Sequence, residues 1–287
     1  MSGQLGVIGA GTMGAGIAYV SATAGYDVTL VEVDPERGNA AGSLIDTWAR
    51  RAVDRGRAEP ELPEQVGRRL TIATSIDDIP HGADVIVEAV PERPELKRDV
   101  LTKAETREPK LLGSNTSSIS IDSLAEGLNR PERFCGLHFF NPVYAMRLLE
   151  IVTGGRTSND TTAASLAFAE RLGKDPIVVA DAPGFATSRL GNALGLEAMR
   201  MLESGVADAA DIDKAMSLGY KHPVGPLELS DMVGLDVRLD IARTLQEAYG
   251  DRFTPPQLLI DKVERGELGK KSGSGFYRWQ DGRKVEE

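Results

Sequence analysis

The run Leu5-Gly6-Val7-Ile8 passes directly into Gly9-Ala10-Gly11-Thr12-Met13-Gly14, a Gly-x-Gly-x-x-Gly spacing that opens a helical pattern. Each glycine has its own mechanical role. Gly9 makes a tight turn out of the strand, Gly11 admits a phosphate to the backbone, and Gly14 lets helix and strand pack closely. The amino terminus of the helix then offers unpaired N–H groups and a positive dipole end to an anion without needing a basic side chain. The spacing alone is weak. Its context gives it weight: a strand precedes it, a helix follows it, and an acid, Glu32, closes the next apolar run, Val28-Thr29-Leu30-Val31. A carboxylate there accepts both hydroxyls of an adenosine ribose and repels a 2′-phosphate. The pattern therefore predicts a site for NAD rather than NADP, formed by Gly9, Ala10, Gly11, Thr12, Met13, Gly14 and Glu32. Arg37 is a cation close to this acid, and a surface helix position explains it simply.

The first 180 or so residues alternate short β-branched runs with longer helical patterns, as a parallel sheet with crossover helices requires. The runs are Leu5 to Ile8, Asp27 to Val33, Leu70 to Ala73, Ala83 to Ala89, Lys110 to Gly113, Arg133 to Leu137, Leu148 to Val152 and Pro176 to Ala180. Several are nearly continuous in apolar character, which fits strands covered on both faces. After Pro183-Gly184 the texture changes, with apolar residues at helical spacing from Phe185 to Leu202, then over 208–218, 225–249 and 255–265. A chain of 287 residues exceeds the usual single-domain size. The expected fold is α/β, a Rossmann-type doubly wound and mainly parallel sheet over residues 1–182, followed by a smaller all-helical domain over 183–287. The segment from Gly269 to Tyr277 reads as an irregular tail.

His138, one of 3 histidines, follows an apolar run, and a carboxylate, Glu150, lies inside the next. An imidazole titrates near neutral pH, and a carboxylate bonded to one ring nitrogen would fix its tautomer and stabilise the imidazolium. Such a pair suits proton transfer, including removal of an alcohol proton during oxidation. The alternatives are a satisfied core histidine and an exposed strand-end acid. The single cysteine, Cys135, excludes intrachain disulfides and any Cys/His metal cluster, and beside an apolar strand it reads as a small buried hydrophobe. No metal is expected. The net charge of -10 argues against general affinity for nucleic acid or an anionic membrane. With no apolar stretch long enough to span a bilayer and no signal-like amino terminus, the expected location is the cytoplasm. One local basic cluster, Arg50, Arg51, Arg55 and Arg57, places positions 51 and 55 on one helix face. It is either an anion-binding patch or a solvated helix surface.

Together Gly9-Ala-Gly-Thr-Met-Gly-Ala-Gly-Ile-Ala18, Ser114-Asn-Thr-Ser-Ser118, His138-Phe-Phe-Asn-Pro-Val143 and Asp181-Ala-Pro-Gly-Phe185 resemble the L-3-hydroxyacyl-CoA dehydrogenase family, especially its short, single-function 3-hydroxybutyryl-CoA type. The resemblance continues through His222-Pro-Val-Gly-Pro-Leu-Glu-Leu229 and Gly234-Leu-Asp236 to Gly269-Lys-Lys-Ser-Gly-Ser-Gly-Phe-Tyr277. It implies that His138 is the catalytic base, oriented by Glu150, that Ser117 bonds the substrate oxygen, and that Asn141 positions substrate or nicotinamide. Glu92, Lys97, Ser117, Asn141 and Lys271 are then similar to family cofactor contacts, and Arg51 or Arg55 would meet the phosphates of an acyl-CoA. A homodimer through the helical domain and a place in fatty-acid β-oxidation are further implications. Taken by itself, Ser117 could equally cap a helix starting near Ile119, while His222, Lys97 and Lys271 have plain structural or solvated readings.

The chain departs from the family pattern at one informative position: Pro183-Gly-Phe-Ala-Thr-Ser188-Arg189 carries serine where the family usually has asparagine. A hydroxyl replaces an amide that would offer a carbonyl and two donors, so the bond to the reacting end of the substrate at Ser188 is lost or relayed by water. Three functional readings follow: an NAD-dependent dehydrogenase of L-3-hydroxyacyl-CoA, a dehydrogenase of a carrier-protein-bound hydroxyacyl group or free β-hydroxy acid, and a non-catalytic dinucleotide sensor.

Overall fold

The computed structural model describes residues 2–285, and the chain divides into two compact units, residues 1–182 and 183–287. In the first unit the chain runs β1 (Gly3–Ile8), α1 (Thr12–Thr23), β2 (Tyr26–Val31), α2 (Pro35–Asp54), α3 (Leu62–Arg69) and β3 (Leu70–Ala73). It continues through β4 (Val85–Glu88), α4 (Pro94–Glu105), β5 (Leu111–Ser114), α5 (Ile121–Ala125), β6 (Phe134–Phe139), β7 (Leu148–Thr153), α6 (Asn159–Arg171) and β8 (Asp175–Ala180). These strands form one sheet in the order β3-β2-β1-β4-β5-β6-β7-β8, with the chain reversing direction across the sheet after β3.

Adjacent strands from β3 to β6 are parallel, β6 and β7 are antiparallel, and β8 runs parallel to β7. The reversal follows from the connection. Only residues 140–147 separate β6 from β7, too few for a crossover helix, and a short link joins antiparallel strands. Leu5, Val7, Val87, Leu137, Leu149 and Ile151 are fully buried in the central strands. Cys135 belongs to this core, and burial pushes its thiol up to about 12. β8 differs: Ile177 and Val178 are exposed, as befits the sheet's last strand.

Small residues set how closely α1 approaches the glycine loop and the 140–147 link. A Cβ at Gly14 would lie 1.8 Å from the carbonyl oxygen of Gly9, which only backbone movement could relieve, and one at Gly16 would lie 2.8 Å from the Val143 side chain, which would have to shift. α2 begins where proline fits the first turn, with Asp34 capping it by accepting from the N–H groups of Glu36 and Arg37.

The second unit contains α7 (Thr187–Glu203), α8 (Ala209–Gly219), α9 (Pro226–Val233), α10 (Leu235–Tyr249) and α11 (Gln257–Glu264), then a hairpin of β9 (Trp279–Gln280) and β10 (Arg283–Lys284). Leu196, Met199, Ile212, Leu227, Leu239 and Leu259 form its core. The helical pattern read over 225–249 is two helices, because Gly234 adopts φ of 105° and breaks it. The tail expected to be irregular is tied down. The buried Asp231 carboxylate accepts from the backbone N–H groups of Phe276 and Tyr277 and from the Trp279 indole, each at 2.9 Å.

Candidate active site

The glycine loop fits an anionic dinucleotide. Gly9 leaves β1 with φ of 100°, and Gly11, the residue preceding α1, has nothing within 4 Å of where a side chain would sit. The α1 amino terminus carries no side-chain cap and no acid in its first turn, so its N–H groups are available to a phosphate. Glu32 follows β2 as expected and is buried, its carboxylate accepting from Ala10 N at 3.2 Å and Asp34 N at 3.4 Å. Arg37 is exposed yet lies 3.5 Å from the Glu32 carboxylate. Such a loop and acid suit a pyrophosphate and a ribose.

Beside this loop, at the ends of β4 and β5, stands a charged network that no spacing in the sequence announced. Glu88, wholly buried, accepts from Lys97 Nζ at 2.8 Å, Val90 N at 2.7 Å and Ser114 Oγ at 2.5 Å. Lys97 is 1% exposed and also contacts the Val90 carbonyl and, at 3.2 Å, Glu92. The Lys97 ammonium thus meets two carboxylates beneath the surface instead of solvent. Glu92 in turn gathers the segment after β5, accepting from Thr116 Oγ1 at 2.6 Å, Ser117 N at 2.9 Å and Ser118 N at 3.1 Å. Burial pushes the Glu88 carboxyl up, against Lys97 and its donors. At Glu92 burial again opposes ionisation, but Lys97 and the Thr116 and Ser117 donors prevail and hold the carboxyl below its ordinary value.

Ser117 is exposed on this turn, and the helix-capping alternative for it does not apply. Ser120 caps α5 instead, accepting from Ser123 N at 3.2 Å. Asn115, between the network and Ser117, accepts from Phe139 N at 2.9 Å and so ties the end of β5 to the end of β6.

The β6–β7 register sets His138 directly opposite Glu150. Residues opposed in an antiparallel pair project to one face at close Cβ spacing, so the ladder itself brings the two side chains together. His138 Nδ1 lies 2.7 Å from Glu150 Oε2, with the residues 6% and 0% exposed. The Phe140 ring stands 4.4 Å from the imidazole, centroid to centroid. Glu150 is therefore not the exposed strand end that its sequence position also allowed. Asn141, two residues past the end of β6, is exposed. In the second unit Ser188 lies in the first turn of α7, and Lys271 pairs with Asp236 at 2.6 Å.

Arg51 and Arg55, at the carboxyl end of α2, line a cavity of about 540 Å³ in the first unit. Arg57, Arg147, Arg171 and Lys174 also line it, and no carboxylate does. Its aromatic part is Tyr19, Trp48 and Tyr144, with Trp48 and Tyr144 ring centroids 5.3 Å apart. Three of the cluster's arginines, Arg51, Arg55 and Arg57, thus border this cavity, whereas Arg50 pairs with Asp46 on the exposed helix face. Among the described residues no group of three or more His, Cys, Asp or Glu side chains is arranged to hold a metal ion, and no helix is long and apolar enough to cross a membrane.

The geometry has counterparts among known proteins. Residues 4–182 match the family model of the 3-hydroxyacyl-CoA dehydrogenase NAD-binding domain, and residues 184–279 match that of the 3-hydroxyacyl-CoA dehydrogenase C-terminal domain. A 3-hydroxybutyryl-CoA dehydrogenase of Bradyrhizobium diazoefficiens is 39% identical over 98% of this chain and 97% of its own. One from Mycobacterium tuberculosis is 40% identical over 96% of this chain and 98% of its own. The crystal structure of an (S)-3-hydroxybutyryl-CoA dehydrogenase from Ralstonia eutropha superposes with a TM-score of 0.92 at 36% identity, covering 96% of this chain and 99% of that one. With both family domains matched in order along a doubly wound sheet and a helical unit, the chain belongs to the 3-hydroxyacyl-CoA dehydrogenase family.

Proposed function

We propose that this chain catalyses the reversible, NAD-dependent oxidation of an L-3-hydroxyacyl-CoA, 3-hydroxybutyryl-CoA or a close analogue, to the 3-ketoacyl-CoA. The observation that carries the proposal is the buried pair of His138 and Glu150, joined at 2.7 Å on opposed strands of a family whose amino-terminal domain binds NAD. With Nδ1 engaged by Glu150, His138 exchanges its proton through Nε2, accepting it from the C3 hydroxyl while Glu150 stabilises the imidazolium. In reduction the same imidazolium returns the proton to the C3 oxygen. Ser117, held by Glu92, bonds that oxygen, and Asn141 positions substrate or nicotinamide. Bound NAD would supply the hydride acceptor, held by Gly9 to Gly14, Glu32, Glu92 and Lys271, with Lys97 acting through Glu92.

Arg51 and Arg55 would meet the CoA phosphates. A cavity lined by cations without a carboxylate, in a chain of net charge -10, is a local reversal of sign suited to a polyanion. That charge favours CoA over a free β-hydroxy acid, while Ser188 keeps a carrier-protein-bound substrate as the second reading. Glu32 should give NAD at least about a tenfold advantage over NADP. Leu190, Met232, Val233 and Val237 are exposed on α7, α9 and α10, and this apolar surface supports a homodimer through the second unit. The setting would be cytoplasmic β-oxidation. Appearance of reduced-nicotinamide absorbance with 3-hydroxybutyryl-CoA and NAD tests the activity. No turnover with the CoA ester but turnover with the carrier-protein thioester or a free β-hydroxy acid would select the second reading, and turnover with none of the three would leave a dinucleotide-binding protein.

A further inference from the structure

Lys174, between α6 and β8, is the least expected group in the cavity wall. Its ammonium donates to the carbonyl oxygen of Val143 and, at 2.7 Å, to that of Met146, while the residue is only 8% exposed. Among the described residues no carboxylate pairs with it, and burial pushes its ammonium below the ordinary lysine value. The two carbonyls belong to one turn, closed by the N–H groups of Ala145 and Met146 donating to Pro142 O. That turn supplies Tyr144, Ala145 and Met146 to the cavity and places Tyr144 against Tyr19 and Trp48.

A buried cation satisfied only by carbonyl dipoles costs more than a neutral side chain of the same length, so its charge is not needed merely to fill the space. We propose that Lys174 is a positioning residue for the CoA moiety: it clamps the Val143–Met146 turn from behind, fixing the cavity wall, and leaves an uncompensated positive charge there for an anionic ligand. This rests on the acyl-CoA reading above. Ligand anion and turn then support one another, because the phosphate supplies the counter-charge that the protein omits.

The test is steady-state reduction by the full chain of acetoacetyl-CoA and of acetoacetyl-pantetheine, which lacks the nucleotide and its phosphates. In Lys174→Met the KM for acetoacetyl-CoA should rise about tenfold, the scale of one lost charge-assisted contact, with KM for NADH within about twofold of wild type. The pantetheine thioester should keep its kcat/KM within about twofold, and Lys174→Arg should recover the KM for acetoacetyl-CoA to within about threefold. A folded Lys174→Met enzyme with unchanged KM for acetoacetyl-CoA, or with equal losses on both thioesters, overturns the inference. Should Lys174→Met fail to fold, Lys174→Gln, which keeps amide donors but no charge, should raise the same KM about three- to fivefold, and an unchanged KM is again fatal. Equal use of both thioesters by the wild type would instead remove the CoA reading of the cavity itself.

Discussion

Lys97 with Glu88 and His138 with Glu150 are two buried pairs of a basic and an acidic side chain in the same unit, joined at 2.8 Å and 2.7 Å, and they differ in what surrounds them. Glu88 is saturated by Lys97, Val90 N and Ser114 Oγ, and Lys97 is shared with Glu92 and a carbonyl. The groups of this network are thus held by several partners each, and through Glu92 it fixes the turn bearing Ser117. An imidazole held at one ring nitrogen can exchange a proton at the other, the role proposed for the second pair. Burial thus serves rigidity in one pair and, on the proposed mechanism, orientation of a moving proton in the other.

The largest expected effect comes from breaking the static pair. Lys97→Met would leave Glu88 buried without its counter-charge, and the loss of folding free energy should be about 3–5 kcal/mol. Chemical denaturation measures it, and a loss below about 1 kcal/mol would show that the network does not behave as a buried ion pair. His138→Gln should do the reverse, leaving the melting temperature and NAD affinity close to wild type while turnover falls roughly 100-fold or more. A mutant keeping half the wild-type turnover would dissolve the distinction between the two pairs.

Acidification separates the static network's own two carboxylates. Glu92, held below its ordinary value, stabilises the fold above the usual carboxylate range, and that contribution is lost as pH falls through its depressed value. Glu88, pushed up by burial, contributes with the opposite sign, its penalty easing as it protonates. Glu92→Gln should therefore be less stable at neutral pH and lose less on acidification below about pH 4. Thermal melts of both proteins across that range decide the sign, and parallel curves would contradict it. The smallest effect concerns the acyl group of the proposed substrate. Ser188→Asn should shift the ratio of kcat/KM between small and bulky acyl-CoAs by roughly two- to tenfold, with small ones gaining. An unchanged ratio would place Ser188 outside the reach of the acyl group.

What the sequence determined was whatever depends on neighbours along the chain. Gly9, Gly11 and Gly14 mark a strand, turn and helix within a few residues, and Glu32 closes the next strand, so the dinucleotide loop was legible from the residues alone. The change from β-branched runs to helical spacing likewise marked where the sheet ends and the helical unit begins. The tertiary structure decided what depends on register and on distant partners. The short link between β6 and β7 was visible, but only the pairing of His138 with Glu150 across the ladder made two separated residues a dyad. Glu88 lay unremarked inside the run Ala83 to Ala89 and Lys97 allowed a solvated reading, yet the sheet order and the packing of α4 brought them together and excluded water from both. Arg51 and Arg55 remain exposed, but residues from α1, the 144–147 segment and Lys174 join them in lining one open cavity. Local conformation is encoded in local side chains, whereas the free energy of a buried charge is set by whichever residues the fold brings within a few ångströms of it.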